Sequence, residues 1–282
     1  MESYSNNLRI DIQMLKKLPT LSYTAERILS LTAKELMHLD ELIAIIEKDT
    51  PIMSKVLSMA NILYFGSYAP ITNIKDALLK IGFNSLKNIA LGISIFSLFK
   101  ASGEKERSYK RLFNHSFATG VISQIICEDY LNVSSDEKFT AGMLHDIGFF
   151  ALHYLYFELF QKLERAVLKG APLLEAEREV VGIEHSEIGR WLSEWWGLPE
   201  IIGEVIIYHH DLPEKSSNYA ETVALIQLSN YIAEKLGYRI FECEYETGLY
   251  KDSIYKLLSL PDLEELIPQI KEKFSIEELK AL

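Results

Sequence analysis

Cysteine is nearly absent from this chain: two in 282 residues, Cys127 and Cys243, far apart and in no metal-ligand or redox spacing. That excludes a disulfide-stapled scaffold and a cysteine-based zinc site, and it suits a reducing compartment. Proline and glycine are sparse as well, eight and fourteen scattered residues, which leaves no low-complexity linker and little disorder. A surplus of positive charge is also missing. The formal net charge is −11, and nonspecific nucleic-acid binding needs a basic face to displace counterions. No direct nucleic-acid partner is therefore expected, although a small basic cleft is compatible with this balance. The opening residues, Met-Glu-Ser-Tyr-Ser-Asn-Asn, carry neither the basic start nor the apolar run of a signal peptide. Apolar stretches such as Ile201–Tyr208 are too short and too often interrupted to span a bilayer. A soluble, cytoplasmic protein with no membrane partner is the expectation.

What is present is a chain of 48% hydrophobic and 24% charged residues, the balance of a globular protein with a substantial core. Its length suits one large or two modest domains. Helical periodicity dominates and strand signals are almost absent, so the fold class is all-α and multi-helical. Asp40 reads as the cap of one helix, and Thr50-Pro51 as an N-cap with proline in first position, opening Ile52–Ile62. Lys75–Ile81 closes at Gly82, and Asn84 caps a helix to about Phe99. Ser134-Ser135-Asp136-Glu137 offers a capping box for the helix that carries His145-Asp146. Further helices are predicted over Phe150–Leu168, Leu174–Val181, His185–Trp196, Pro199–His209 and Glu221–Gly237. The tail holds Asp262–Ile270, broken by Pro268, and a short acidic amphipathic end. The best break is Ala101-Ser102-Gly103, followed by the charged run Glu104–Arg107. It divides the chain into an N-terminal helical subdomain (1–103), a helical bundle with the histidines packed against it (104–237), and a helical tail (238–282).

Five of the seven histidines fall where helices begin, end or face the core. His115 shares a stripe with Leu112, Thr119, Ile122 and Ile126. Such a histidine is either a packed core residue with one satisfied nitrogen or a metal ligand. His145 and Asp146 point about 100° apart on a helix and share a target only at its edge. The pair can hold a divalent cation, or it can join two helices by charge. Gly142 and Gly148 omit side chains where something can approach closely. His185 opens its helix with Gly189 one turn later; a helix start favours an anion over a cation, and capping is the plainer role. His209 and His210 close a hydrophobic helix, where a protonated imidazole also complements the dipole. His38 and His153 fit no cluster and read as structural. Taken together, histidines on successive helices around a His-Asp pair are what a helical metal phosphohydrolase requires.

The order His115 … His145-Asp146-Ile-Gly … His185-Ser-Glu-Ile-Gly … His209-His210 resembles the HD superfamily. Within it the chain is most similar to the HDOD domain, the HD-related output domain of bacterial signalling proteins. Leu18-Pro19-Thr20-Leu21, Ile46-Glu47-Lys48-Asp49-Thr50-Pro51, Leu57-Ser58-Met59-Ala60-Asn61 and the Ile74–Gly82 run resemble that domain's N-terminal portion. Leu192-Ser-Glu-Trp-Trp-Gly-Leu-Pro199 resembles the segment before its paired histidines, and the likeness covers roughly residues 12–237. The resemblance implies a regulatory all-helical module, usually without demonstrated catalysis, with His115, His145, Asp146, His185, His209 and His210 as candidate ligands of a divalent metal (Fe, Mn, Mg or Zn).

Two departures from the active relatives stand out. Their late aspartate falls near Leu228-Ser229-Asn230, where this sequence offers Asn230, a weak ligand without formal charge. Many also place a phosphate-contacting lysine where this chain has Phe149, which supplies neither charge nor hydrogen bond. No GYP-type motif is present. The expected function is thus a non-catalytic signalling module that binds a partner protein or small ligand and retains a structural metal. The competing expectation is a metal-dependent phosphohydrolase acting on a nucleotide or cyclic dinucleotide. The tail helices and the aromatics near Tyr245–Tyr255 leave room for a dimer.

Overall fold

Helix starts follow local hydrogen-bond chemistry, and they set the frame for the site. In the computed structural model, which describes residues 18–31, 36–63, 70–216, 218–243 and 249–274, Ser22 caps α1 (Tyr23–Ser30) by accepting from the Ala25 amide at 3.1 Å. The residues before 18, Tyr245 and the acidic end at 275–282 lie outside the described residues. Helix α2 (Leu36–Glu47) contains Asp40 rather than starting at it, because Leu36-Met37-His38-Leu39 carry the helix one turn further upstream. The cap of α3 (Thr50–Leu63) is Asp49, whose carboxylate accepts from the Ile52 amide at 3.2 Å, one residue before the expected Thr50. Asn73 caps α4 (Ile74–Phe96) by accepting from Asp76 at 2.8 Å. Gly82, at φ 79° and ψ 171°, kinks this helix into the two pieces the sequence predicts.

The stretch Ile74–Phe99 is long and apolar enough to cross a membrane by length and composition, with a mean hydropathy of 1.3. Its apolar faces, however, are buried against α1, α3 and α6. Core packing accounts for that composition.

The second half comprises α5 (Glu106–Ile126), α6 (Asp136–Leu144), α7 (Ile147–Leu155), α8 (Phe157–Leu168), α9 (Leu173–Val180), α10 (His185–Trp196), α11 (Glu200–Tyr208) and α12 (Ala220–Lys235). Two tail helices follow, α13 (Lys251–Leu258) and α14 (Leu263–Lys273). At the N-cap of α6 the Ser135 hydroxyl donates to Glu128 at 2.9 Å and caps no helix amide. Two local expectations are corrected. The long helix expected over Phe150–Leu168 is two, broken at Tyr156, whose φ −133° and ψ 54° are not helical. Pro268 sits inside α14 without ending it. It is exposed there, so the carbonyl that loses its partner faces water.

One continuous set of buried apolar side chains runs from Leu18 to Phe274. It crosses the short linker at 101–103, so the N-terminal helices and the later bundle share a core. Helix α5 packs on α6 and α12, α7 crosses α10, and α11 lies against α6 and α10. No strand occurs among the described residues.

Candidate metal centre

The turn between α6 and α7 carries the centre. The helix ends at Leu144; His145 is its C-cap, and Asp146, at φ −101° and ψ 20°, leads into α7. The pair therefore lies at a break between helices and not within one, as the sequence predicts. The break lets the neighbouring side chains converge, with His145 Nε2 3.0 Å from Asp146 Oδ2. Close backbone approach brings the remaining groups in. A Cβ on Gly148 would sit 1.9 Å from the carbonyl oxygen of His185, so α7 and α10 touch backbone to backbone there. A Cβ on Gly142 would likewise lie 3.0 Å from the Gly120 Cα.

Asp146 is the hub. Its Oδ2 lies 3.2 Å from His115 Nε2 as well as 3.0 Å from His145 Nε2. Its Oδ1 lies 3.2 Å from the Nε2 of both His185 and His209. The opposite ring nitrogens are tied back. Nδ1–H of His115 donates to the Tyr238 carbonyl at 2.9 Å, that of His145 to Gly142 at 2.7 Å, and that of His209 to Ile206 at 2.9 Å. His185 Nδ1 meets the buried Glu177 carboxylate at 2.7 Å, and the other Glu177 oxygen accepts the His185 amide at 3.2 Å. A carbonyl only accepts, so the proton of each such neutral ring sits on Nδ1 and the lone pair on Nε2 points inward. His210 completes the group from the half-buried side, its ring 4.2 Å from that of His209 and 5.0 Å from that of His185.

The donor set fits a divalent cation at each carboxylate oxygen. Asp146, His185, His209 and His210 form one group with ligand atoms within 4.8 Å of each other, and His115, His145 and Asp146 form another. His115 Nε2, His145 Nε2 and Asp146 Oδ1 are buried without a hydrogen-bond partner. His185 Nε2 and His209 Nε2 approach to 3.0 Å, a distance two lone pairs tolerate only with a proton or a cation between them. Imidazoles backed by carbonyl or carboxylate acceptors are the usual second layer of metal sites.

The electrostatics point the same way. Burial alone would raise the Asp146 carboxyl; the imidazoles set against it, His145 first and then His115 and His185, hold it well below the usual carboxylate range. Burial disfavours a charged His185, yet Glu177 and Asp146 push it up to about 10. His115 is raised against its burial by Asp146 and Glu234. Burial brings His145 down to about 4, and burial together with His209 and His185 takes His210 well below the ordinary range. The two buried carboxylates thus draw positive charge to particular rings.

All six residues singled out in the sequence meet at this one place. Asn230 is buried on α12, one turn before Glu234, and its Oδ1 accepts no hydrogen bond among the described residues. Phe149 is fully buried and stacks on His185, with ring centroids 4.0 Å apart and planes at 12°. His153 stands apart, buried and hydrogen-bonded through Nε2 to Ser108 at 2.8 Å, as a structural histidine should be. Sequence reasoning missed Glu177. Its signal was a carboxylate on the apolar stripe Leu173, Ala176, Val180, the buried face of α9.

A helical bundle that gathers histidines from four helices around a His-Asp turn defines an HD-like fold. A family model for the HDOD domain matches residues 18–212, and the chain belongs to that family. An HDOD domain protein of unknown function from Geobacter sulfurreducens shares 25% identity and a TM-score of 0.74, covering 94% of this chain and 92% of that one. An inferred signal transduction protein from Marinobacter aquaeolei VT8 shares 21% identity at a TM-score of 0.72, over 98% of this chain and 61% of its own. An inferred metal-dependent phosphohydrolase from Shewanella amazonensis SB2B shares 22% identity at a TM-score of 0.66, over 95% of each chain. Both likenesses show a common fold. An uncharacterised Treponema pallidum protein is 23% identical over 198 residues, 69% of this chain, and the chain spans 38% of that relative.

Proposed function

We propose that this chain is a non-catalytic HDOD signalling module that retains a divalent metal as a structural element. The observation that carries the reading is the closure of the centre. His115 and His145 are fully buried, and Asp146, His185 and His209 are at most 2% exposed. Phe149 covers the His185 ring, where the active relatives place a cation for phosphate. A phosphodiester has no wetted face to approach at these five residues, and only His210 is half-buried. The module would act through its surfaces, on a signalling partner or a small ligand, rather than by turnover. The nitrogen-rich donor set favours Fe or Zn over Mn or Mg, since five imidazoles accompany one carboxylate.

The convergence of five histidines on one aspartate favours a second reading, a metal-dependent phosphohydrolase. A bound cation there would supply Lewis acidity and lower the pKa of a water. For this chain's residues, that reading requires His210, the half-buried member, to stand at the point of entry. Metal analysis of protein purified without chelator, compared with Asp146→Ala, is the test. Stoichiometric metal in the parent, loss of it in the variant, and no hydrolysis of nucleotide or cyclic dinucleotide substrates support the first reading. Steady metal-dependent turnover that disappears on His145→Ala overturns it, and metal-free protein that takes up no added Mn²⁺ or Fe²⁺ overturns both.

A further inference from the structure

A second place in the fold concentrates positive charge that one carboxylate balances only in part. A cavity of about 210 Å³ lies between α3, the linker after α4 and the first half of α5. Three lysines line it: Lys55 from α3, Lys100 from the linker and Lys110 from α5. In a chain of net charge −11, three cations around one small cavity run against the average field. Glu106 also lines the cavity, but it is paired with Lys110 at 3.4 Å. Among the described residues, Lys55 and Lys100 have no carboxylate within ion-pair distance. Lys55 is half-buried, its ammonium 5.3 Å above the Phe113 ring centre. Burial, then Lys100 and Lys110, disfavour its charge. Mutually repelling cations, one of them half-buried, lower their energy by sharing an anion.

We propose that this cavity is a binding site for a small phosphate monoester, with the phosphoryl group among Lys55, Lys100 and Lys110. Its volume lies below the roughly 300 Å³ at which drug-sized ligand sites begin, so it takes a phosphoryl group and little more. Lys100 and Ala101 also line an adjoining cavity of about 450 Å³, walled by Tyr154 and Phe157. The organic half of the ester has room and aromatic surface there. Bound in this way, the ligand joins α3 to α5 across the linker at 101–103, coupling the N-terminal helices to the helix that carries His115. The site supplies the small-ligand input suggested above, but it does not depend on the metal or on the absence of catalysis.

The test is calorimetric titration of the full chain with inorganic phosphate and with AMP, at low and moderate salt, for the parent, Lys55→Met and Lys100→Met. Methionine keeps the aliphatic stem over Phe113, and Lys100 is exposed, so at least one variant retains the fold. Saturable phosphate binding that AMP displaces, weakened about tenfold by each substitution and by added salt, is expected. Metal content stays at the parent value in both variants, which separates this site from the histidine centre. No saturable binding, binding unchanged in both variants, or phosphate that AMP fails to displace would overturn the proposal.

Discussion

Gly148→Ala is the smallest change that should open the centre from a distance. The added methyl would lie 1.9 Å from the His185 carbonyl oxygen, 2.7 Å from its carbon and 3.0 Å from the Gly189 nitrogen. All three are backbone atoms, so no side chain can swing aside. Helix α10 must retreat by at least an ångström from α7 to reach even the tightest contact that Cβ atoms make. Overpacking against rigid backbone costs about 3 kcal/mol, while the gain in helix propensity returns about 1 kcal/mol or less. The net is a loss of about 2 kcal/mol, a fall in melting temperature of about 4–8 °C. The retreat also stretches the 3.2 Å approach of His185 to Asp146, so metal content should fall with stability. Urea unfolding and elemental analysis of the same preparation read both effects. Stability within about 0.5 kcal/mol of the parent, with full metal content, would refute the claim that backbone contact sets the geometry.

Other consequences are separable. Glu177→Gln keeps the volume and removes the charge behind His185; metal affinity should fall about 10- to 100-fold with little change in helix content, by chelator competition. Burial, Lys105 and Arg111 hold His153 down to about 4, below its unfolded value of about 6.5. The folded state therefore binds fewer protons than the unfolded one between those values. The contribution is fully present above pH 6.5 and is lost as pH falls toward 4, up to about 3 kcal/mol. His153→Gln should flatten that acid limb relative to the parent, and identical limbs would dismiss the assignment. Burial pushes the Cys127 thiol up to about 11, while Cys243 is partly exposed. A thiol reagent at pH 8 should modify one cysteine quickly and the second only on unfolding.

Much of this was legible in the sequence because it depends on local chemistry. Gly197 ends α10 at φ 61° and Gly82 kinks α4, both readable from glycine among periodic apolar residues. The candidate ligands were also legible, since each sits at a helix end or on a core stripe. Hidden were features that depend on how the chain turns between elements. Glu177 reaches His185 across the turn between α9 and α10, and the carbonyl that orients His115 belongs to Tyr238, far along the chain. The Ser135 hydroxyl likewise goes to Glu128 and not to its own helix. The break at Asp146 has no proline or glycine at its own position to announce it.

That break explains how one carboxylate serves two groups of histidines. On an unbroken helix the two side chains would diverge by about 100°; the turn instead presents Asp146 edge-on, with α5 and His145 on one oxygen and α10 and α11 on the other. Each approaching ring has its Nδ1 committed elsewhere, so the inward nitrogens cannot bond to one another and need positive charge between them. In the protein without cations, protons can supply it, which is the sense in which His115 and His185 are raised. Cations would supply it more strongly and tie the same four helical segments together, because ligation stabilises only the folded arrangement. Such a cradle has value without turnover. Beside Phe149 and Asn230, a cation in this cradle would tie the bundle together whether or not it also served a reaction.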